Sequence, residues 1–208
     1  MQIVIASKNI PKIQECRSML KTINWLDVLS LNDFPDYEPP EETGTTFEEN
    51  ALIKARHAAN TFLITAIADD SGLLVPFLKG SPGVFSRRYA GPPGAKDSRA
   101  TDGENNKKLL EALDGQEEMQ RTAYYECCLA FATPLGETKT FTGRCEGMIL
   151  KQGRGSDGFG YDPLFVKNDY EKSFGEITAE IKNKISHRAK AFEKLAIYLA
   201  NHRASLET

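Results

Sequence analysis

Several features that announce a redox, metal-thiolate or membrane function are missing from this sequence. Its four cysteines, Cys16, Cys127, Cys128 and Cys145, form no CxxC pair and stand at no metal-ligand spacing with a histidine. Cys127 and Cys128 are adjacent, so on a strand they point to opposite faces. Small buried thiols in a reducing compartment are the expectation. No apolar run approaches the roughly 20 residues of a membrane helix. The opening stretch MQIVIASKN turns polar too soon for a secretory signal. A soluble cytoplasmic protein is therefore expected, with no membrane partner. Basic excess is lacking too: the formal net charge is −3, which argues against a nucleic-acid partner. The first strand–helix turn, ASKNIPK, is neither a Walker A loop nor a dinucleotide GxGxxG fingerprint.

The 208 residues, 40% of them hydrophobic, suit one globular domain, or one domain with a small lobe. Gln2 to Ala6 reads as a buried strand. It breaks at SKNIPK, after which Ile13, Cys16, Met19 and Leu20 recur at helical spacing behind an Asn9 N-cap with Pro11 in the first turn. WLDVLSL (25–31) reads as a second strand, and the acidic, proline-rich NDFPDYEPPEETG (32–44) as a loop. A strong helix follows over 45–63. Its capping box pairs Thr45 with Glu48 or Thr46 with Glu49. A strand is expected at 64–68, a Gly/Pro loop at 81–98 and a helix from about Thr101 to Leu113. Long paired strands are expected at 121–133 and 138–150 around PLGE, a second glycine-rich loop at 153–165, and a closing helix at 186–202 capped by Ser186. Helices alternating with strands, then a long hairpin, predict an α/β fold with a mixed sheet.

Six stretches carry the chemistry. The strand–helix turn ASKNIPK offers Ser7, Lys8, Asn9 and Lys12 around a helix N-terminus, a natural anion site; an ordinary turn with solvated lysines is the plainer alternative. Glu41 and Glu42 lie in the acidic loop. Asp69 and Asp70 end an apolar run at AIADDSGLLV. Magnesium is commonly held by one or two carboxylates plus substrate phosphates, so these four are candidate ligands. Asn50 and Lys54, one helical turn apart, present a polar face. SDGFGYDP sets Phe159 and Tyr161 among glycines beside Asp162, a stacking surface for a base or simply a packed turn. In SHRAKA, His187 and Arg188 place cationic groups in the first turn of a helix, against its dipole, unless an acceptor compensates.

Together IVIASKNIPK, EETGTTFEENALIKARHAA, AIADDSGLLV, SPGVFSRRYAG, GFGYDPLF and SHRAKA resemble the inosine/xanthosine triphosphate pyrophosphatases, in the family's order and across nearly the whole chain. The resemblance implies an elongated mixed α/β sheet with flanking helices and two lobes with a nucleotide cleft between them, all within one domain over 1–208. The implied reaction is Mg²⁺-dependent hydrolysis of the non-standard purine nucleoside triphosphates ITP, dITP and XTP to the monophosphate and pyrophosphate, by a homodimer.

Residue by residue, it implies phosphate binding by Ser7 to Lys12, with Lys12 and Lys54 on the triphosphate. Glu41 or Glu42, with Asp69, would attend the metal. Asp70 would be the metal-linked general base and Ser71 a substrate contact. Phe159, Gly160, Tyr161 and Asp162 would wall the base pocket, completed by Lys182, His187 and Arg188. Arg188, a donor-only group, would read the 6-oxo acceptor. One departure stands out: the family's Thr-Gly-Asn is Ser7-Lys8-Asn9 here, so Lys8 either strains a left-handed position or adds a phosphate donor. A pyrophosphatase for other modified nucleotides and a non-catalytic nucleotide-binding module are the rival readings.

Overall fold

The computed structural model describes residues 1–92 and 100–206. The end of the Gly/Pro segment expected at 81–98 therefore lies outside the described residues. Strand β1 (Gln2–Ile5) is central to the first part of the sheet. It pairs in parallel with β2 (Asp27–Ser30) and with β3 (Thr65–Leu74). The sheet order is β2-β1-β3-β4-β5-β6, with β4 (Thr122–Ala132) and β5 (Thr138–Ile149) forming the long hairpin. The antiparallel β6 (Phe165–Lys167) closes that edge, and parallel β2-β1-β3 beside the hairpin and β6 makes the sheet mixed. The helices are α1 (Ile10–Leu20), α2 (Phe47–Phe62), α3 (Asp102–Ala112), α4 (Ala179–Ile185) and α5 (His187–Leu206).

Local chemistry explains the helix starts. Asn9 accepts the Lys12 amide as N-cap of α1. Of the two capping boxes open to α2, Thr46–Glu49 forms, and Glu49 also accepts from Thr45. Thr101 and Glu104 do the same for α3.

Three elements differ from the sequence reading. Strand β3 does not stop at residue 68 but continues through both aspartates to Leu74. β6 has only three residues, too few for an alternation to show. α4 has seven, and Ser186 ends it, standing in extended backbone before His187.

The chain forms two compact units. One comprises residues 1–70, 127–143 and 187–208; the other comprises 71–126 and 144–186. The first has a core of Ile3, Ile5, Ile67, Leu129 and Phe131 on the strands, covered by Ile13, Cys16 and Leu20 of α1 and by Phe192, Leu195 and Leu199 of α5. The second is built on Leu73, Tyr125, Cys145 and Ile149, with Leu109 and Leu113 of α3 and the aromatics Tyr161, Phe165 and Phe174. Along β5, buried Phe141, Gly143, Cys145, Gly147 and Ile149 alternate with exposed Thr142, Arg144 and Glu146 and half-buried Met148. Gly143 admits α5: a Cβ there would overlap the His187 carbonyl and stand 2.6 Å from the Ala191 amide nitrogen. All four cysteines are buried thiols, and burial pushes Cys16 up to about 12 and Cys128 to about 11.

Candidate active site

Because β3 runs straight through Asp69 and Asp70, its pleat sends the two carboxylates to different partners. Asp69 accepts two bonds on Oδ2 from the Arg188 guanidinium, at 3.1 Å from Nε and 3.0 Å from the terminal nitrogen. Its Oδ1 stands 2.6 Å from Lys12 Nζ. The Cys127 thiol donates to Oδ2 from 3.3 Å. Burial alone would raise the pKa of this carboxyl, but Arg188 and then Lys12 outweigh it and hold Asp69 well below the ordinary value. Arg188 is 1% exposed and also pairs with Glu15. It is therefore the protein's own carboxylates that compensate a cation in the first turn of α5.

Asp70 faces α2. Lys54 Nζ lies 3.2 Å from its Oδ1, donates at 2.9 Å to the Asp69 carbonyl and pairs with Glu42 at 3.0 Å. Asn50 donates to Asp70 Oδ2 at 3.2 Å while its own oxygen accepts the Gly44 amide at 2.8 Å. Asn50 thus links Asp70 to the loop that carries Glu42. Here burial prevails over the pull of Lys54 and Lys12, and Asp70 titrates above an ordinary aspartate. Adjacent carboxylates have been driven in opposite directions, the pattern expected where one is fixed as a charge and the other is poised to take a proton.

Of the acidic-loop pair, Glu42 is the one that shares Lys54 with Asp70. Lys8 does not occupy a left-handed backbone. Its ammonium donates to the Tyr37 carbonyl at 2.8 Å, tying the first turn to the acidic loop. The strained alternative is thereby removed, and the ammonium makes this contact as well. Ser7 Oγ accepts the Asn9 amide at 3.1 Å, so the polar side chains of Ser7 and Asn9 both organise the start of α1. Tyr37 in turn bonds His57 Nδ1 at 2.7 Å and packs on Phe62.

The hard-oxygen pair of Glu42 and Asp70 suits magnesium, which takes one or two carboxylates and completes its shell with phosphate oxygens and water. Four carboxylates, Glu15, Glu42, Asp69 and Asp70, stand against three cations, Lys12, Lys54 and Arg188, leaving a local negative excess for a divalent ion. Among the described residues no three His, Cys, Asp or Glu side chains converge into a complete cage.

The second unit holds the aromatic cluster. Asp162, 2% exposed, accepts from Lys182 Nζ at 2.6 Å and from the Phe159 amide at 2.8 Å, both on Oδ2. Tyr125 donates to its Oδ1 at 3.4 Å. The Lys182 ammonium also lies 4.4 Å from the centroid of the Phe159 ring. Gly160 takes φ +65°, a turn that other residues adopt at a cost. Tyr161 is buried, and its hydroxyl donates to the Ser86 carbonyl at 2.8 Å. Ser71 continues β3 at the start of this unit, half-buried. His187 is buried where α5 begins.

Asp102 and Asn106, unforeseen in the sequence, contact Gly160 from α3. Asn50, read only as part of a polar face, proves to be buried beside Asp70.

Fold and site together define an α/β protein whose central strand carries two adjacent carboxylates, each matched to its own lysine. The chain belongs to the Ham1 family, whose model matches residues 3–198. It is 54% identical over 204 residues to the dITP/XTP pyrophosphatase of Protochlamydia amoebophila, covering 98% of this chain and all of that one. It is 47% identical to the dITP/XTP pyrophosphatase of Chlamydia trachomatis, covering 97% and 96%. Among solved structures, the HAM1 protein of Coxiella burnetii superposes with a TM-score of 0.85 at 39% identity, covering 97% of this chain and 99% of that one. The Ham1 protein of Staphylococcus aureus gives 0.82 at 37%, covering 97% and 100%.

Proposed function

We propose that this protein hydrolyses the non-standard purine nucleoside triphosphates dITP, ITP and XTP to the monophosphate and pyrophosphate, with Mg²⁺, and so clears them from the nucleotide pool. The observation that carries the reading is the Asp69–Asp70 division: one carboxylate clamped by Arg188 and Lys12, its neighbour buried, raised and touching Lys54.

Asp70 accepts the proton of the attacking water, and its raised pKa makes it a better base than an ordinary aspartate. Asn50 and Lys54 hold its two oxygens in place. Lys54 and Lys12 stabilise the charge that develops on the departing pyrophosphate. Asp69, fixed by Arg188, holds Lys12 in position. Glu42 and Asp70 are the metal's protein ligands in this reading. When bound, the metal supplies neutralisation of phosphate oxygens and a more acidic water. The bond broken is the α–β anhydride, and no covalent intermediate is needed.

The base falls to the second unit. Lys182 and Asp162 set a donor beside an acceptor. Hypoxanthine and xanthine offer a 6-oxo acceptor beside an N1–H donor; adenine offers the reverse. A site built on such bonds rejects the mismatched partner by roughly 10⁴ or more. The Phe159 ring supplies stacking. In this reading Lys182 and Asp162 take part in base selection beside Arg188, whose guanidinium is also held by Asp69 and Glu15. A homodimer and a cytoplasmic location complete the proposal. Light scattering in solution checks the first.

The decisive assay is a nucleotide panel with Mg²⁺, scored for pyrophosphate against orthophosphate. Pyrophosphate from dITP, ITP and XTP, and little from ATP, is the expected result. Orthophosphate alone would overturn the reaction assignment.

A further inference from the structure

One contact within the second unit goes beyond the base pocket that the resemblance implies. The first turns of α3 hold Gly160 from both sides. Asp102 accepts the Gly160 amide at 2.6 Å, and Asn106, one helical turn on, donates from Nδ2 to the Gly160 carbonyl at 3.1 Å. These two backbone groups belong to the peptide units on either side of the Gly160 Cα. Gripping both fixes its φ and ψ, and therefore the angle at which the chain delivers Phe159. A Cβ on Gly160 would meet nothing within 4 Å, so crowding does not call for glycine there; the left-handed φ of +65° does. A glycine holding that angle gains from an external clamp, because its own backbone is the least restrained of any residue.

The neighbouring Asn105 shows that α3 anchors more than one segment: it accepts the Ala90 amide at 2.8 Å and donates to the Arg87 carbonyl at 3.2 Å. Asn106 differs in a telling way. Its Oδ1 is buried and has no hydrogen-bond partner among the described residues. A buried acceptor without a donor lowers stability, so a packing role alone favours an apolar side chain here. The amide is explained by what its nitrogen holds.

We infer that Asp102 and Asn106 are specificity-setting positioning residues, which act through the Gly160 backbone to aim Phe159 at the base. The inference rests on the assignment of the base to the Phe159–Asp162 loop. The readout is the ratio of kcat/KM for ITP to that for ATP, measured on the full chain beside its thermal midpoint. Phe159→Ala lowers this ratio if the loop holds the base. Asn106→Ala lowers it by about three- to tenfold, the loss of one hydrogen bond, and Asp102→Ala lowers it likewise. Asp102→Asn, which keeps an acceptor, stays closer to the parent.

Adding Asn106→Ala to Phe159→Ala lowers the ratio no further, because the clamp has no ring left to aim. A merely structural asparagine would instead move the midpoint and both substrates together. If Phe159→Ala lowers the ratio but the α3 variants leave it at the parent value, the clamp inference fails and the base assignment stands. If Phe159→Ala also leaves it unchanged, the base assignment itself fails. Should Asn106→Ala not fold, Asp102→Ala decides the same question.

Discussion

Replacing each aspartate of the central pair by asparagine should shift stability in opposite directions, and the two effects should respond oppositely to pH. Asp69→Asn leaves Arg188 and Lys12 without their shared carboxylate in a buried setting. Breaking one partner of a buried pair costs about 3–5 kcal/mol. Glu15 stays on Arg188, so the lower end, about 3 kcal/mol, is expected. For a chain of this length that lowers the thermal midpoint by about 6–12 °C.

Asp70 is the reverse case. Its folded pKa lies above the ordinary value, so the fold holds the neutral acid better than the ion. A neutral isostere there leaves stability unchanged or raises it, while turnover is lost. The pH dependence follows from the same shifts. The lowered pKa of Asp69 contributes stability above the ordinary value of 3.8 and loses it as pH falls through the folded value. The gap between parent and Asp69→Asn therefore closes in acid. The raised pKa of Asp70 favours the fold in acid and stops doing so as pH rises through its folded value. The advantage of Asp70→Asn therefore appears towards neutral pH. Urea unfolding of the three proteins at a series of pH values, with turnover assayed in parallel, measures both. Equal losses with parallel pH profiles would refute the division of labour.

Glu42→Gln should raise the Mg²⁺ concentration for half-maximal rate about tenfold or more, and Glu41→Gln should move it less; the reverse order in a metal titration assigns the ligand to Glu41. In the metal-free protein Asp70 should titrate above an ordinary aspartate, because burial raises it; an NMR titration that places it at or below 3.8 would refute the buried, raised carboxyl. Gly143→Ala should destabilise the fold by about 1–3 kcal/mol, since the new methyl group meets the backbone where α5 begins; a midpoint within a degree or two of the parent would show that α5 adjusts freely.

The fold was legible wherever the signal is local. Asn9 and Thr46 cap helices as their side chains predict, and the hairpin strands follow from alternation and turn chemistry. β3 read short because a carboxylate pair interrupts its apolar run, and a sequence does not reveal that Arg188, 119 residues away, accepts one of those charges. The placement of Asp70 opposite Lys54 and Asn50 was half visible, since the helical step between those two can be counted. Which face of α2 meets β3 cannot be counted. Likewise nothing local marks Asp102 and Asn106, whose partner is a backbone 54 to 58 residues on. Arg188 shows the limit of a motif: SHR is recognisable as a string, but the carboxylates that neutralise it come from elsewhere in the chain.

The unit bearing Asp69 and Asp70 takes its last segment, residues 187–208, from the end of the chain. During synthesis Asp69 leaves the ribosome long before Arg188 does. Until then the unit lacks both the guanidinium that matches its buried charge and the Phe192, Leu195 and Leu199 face of its core. A product cut short before residue 188 therefore carries the whole carboxylate and lysine set without the means to bury it. The buried charge and its partner therefore meet only when segments 119 residues apart have both been made.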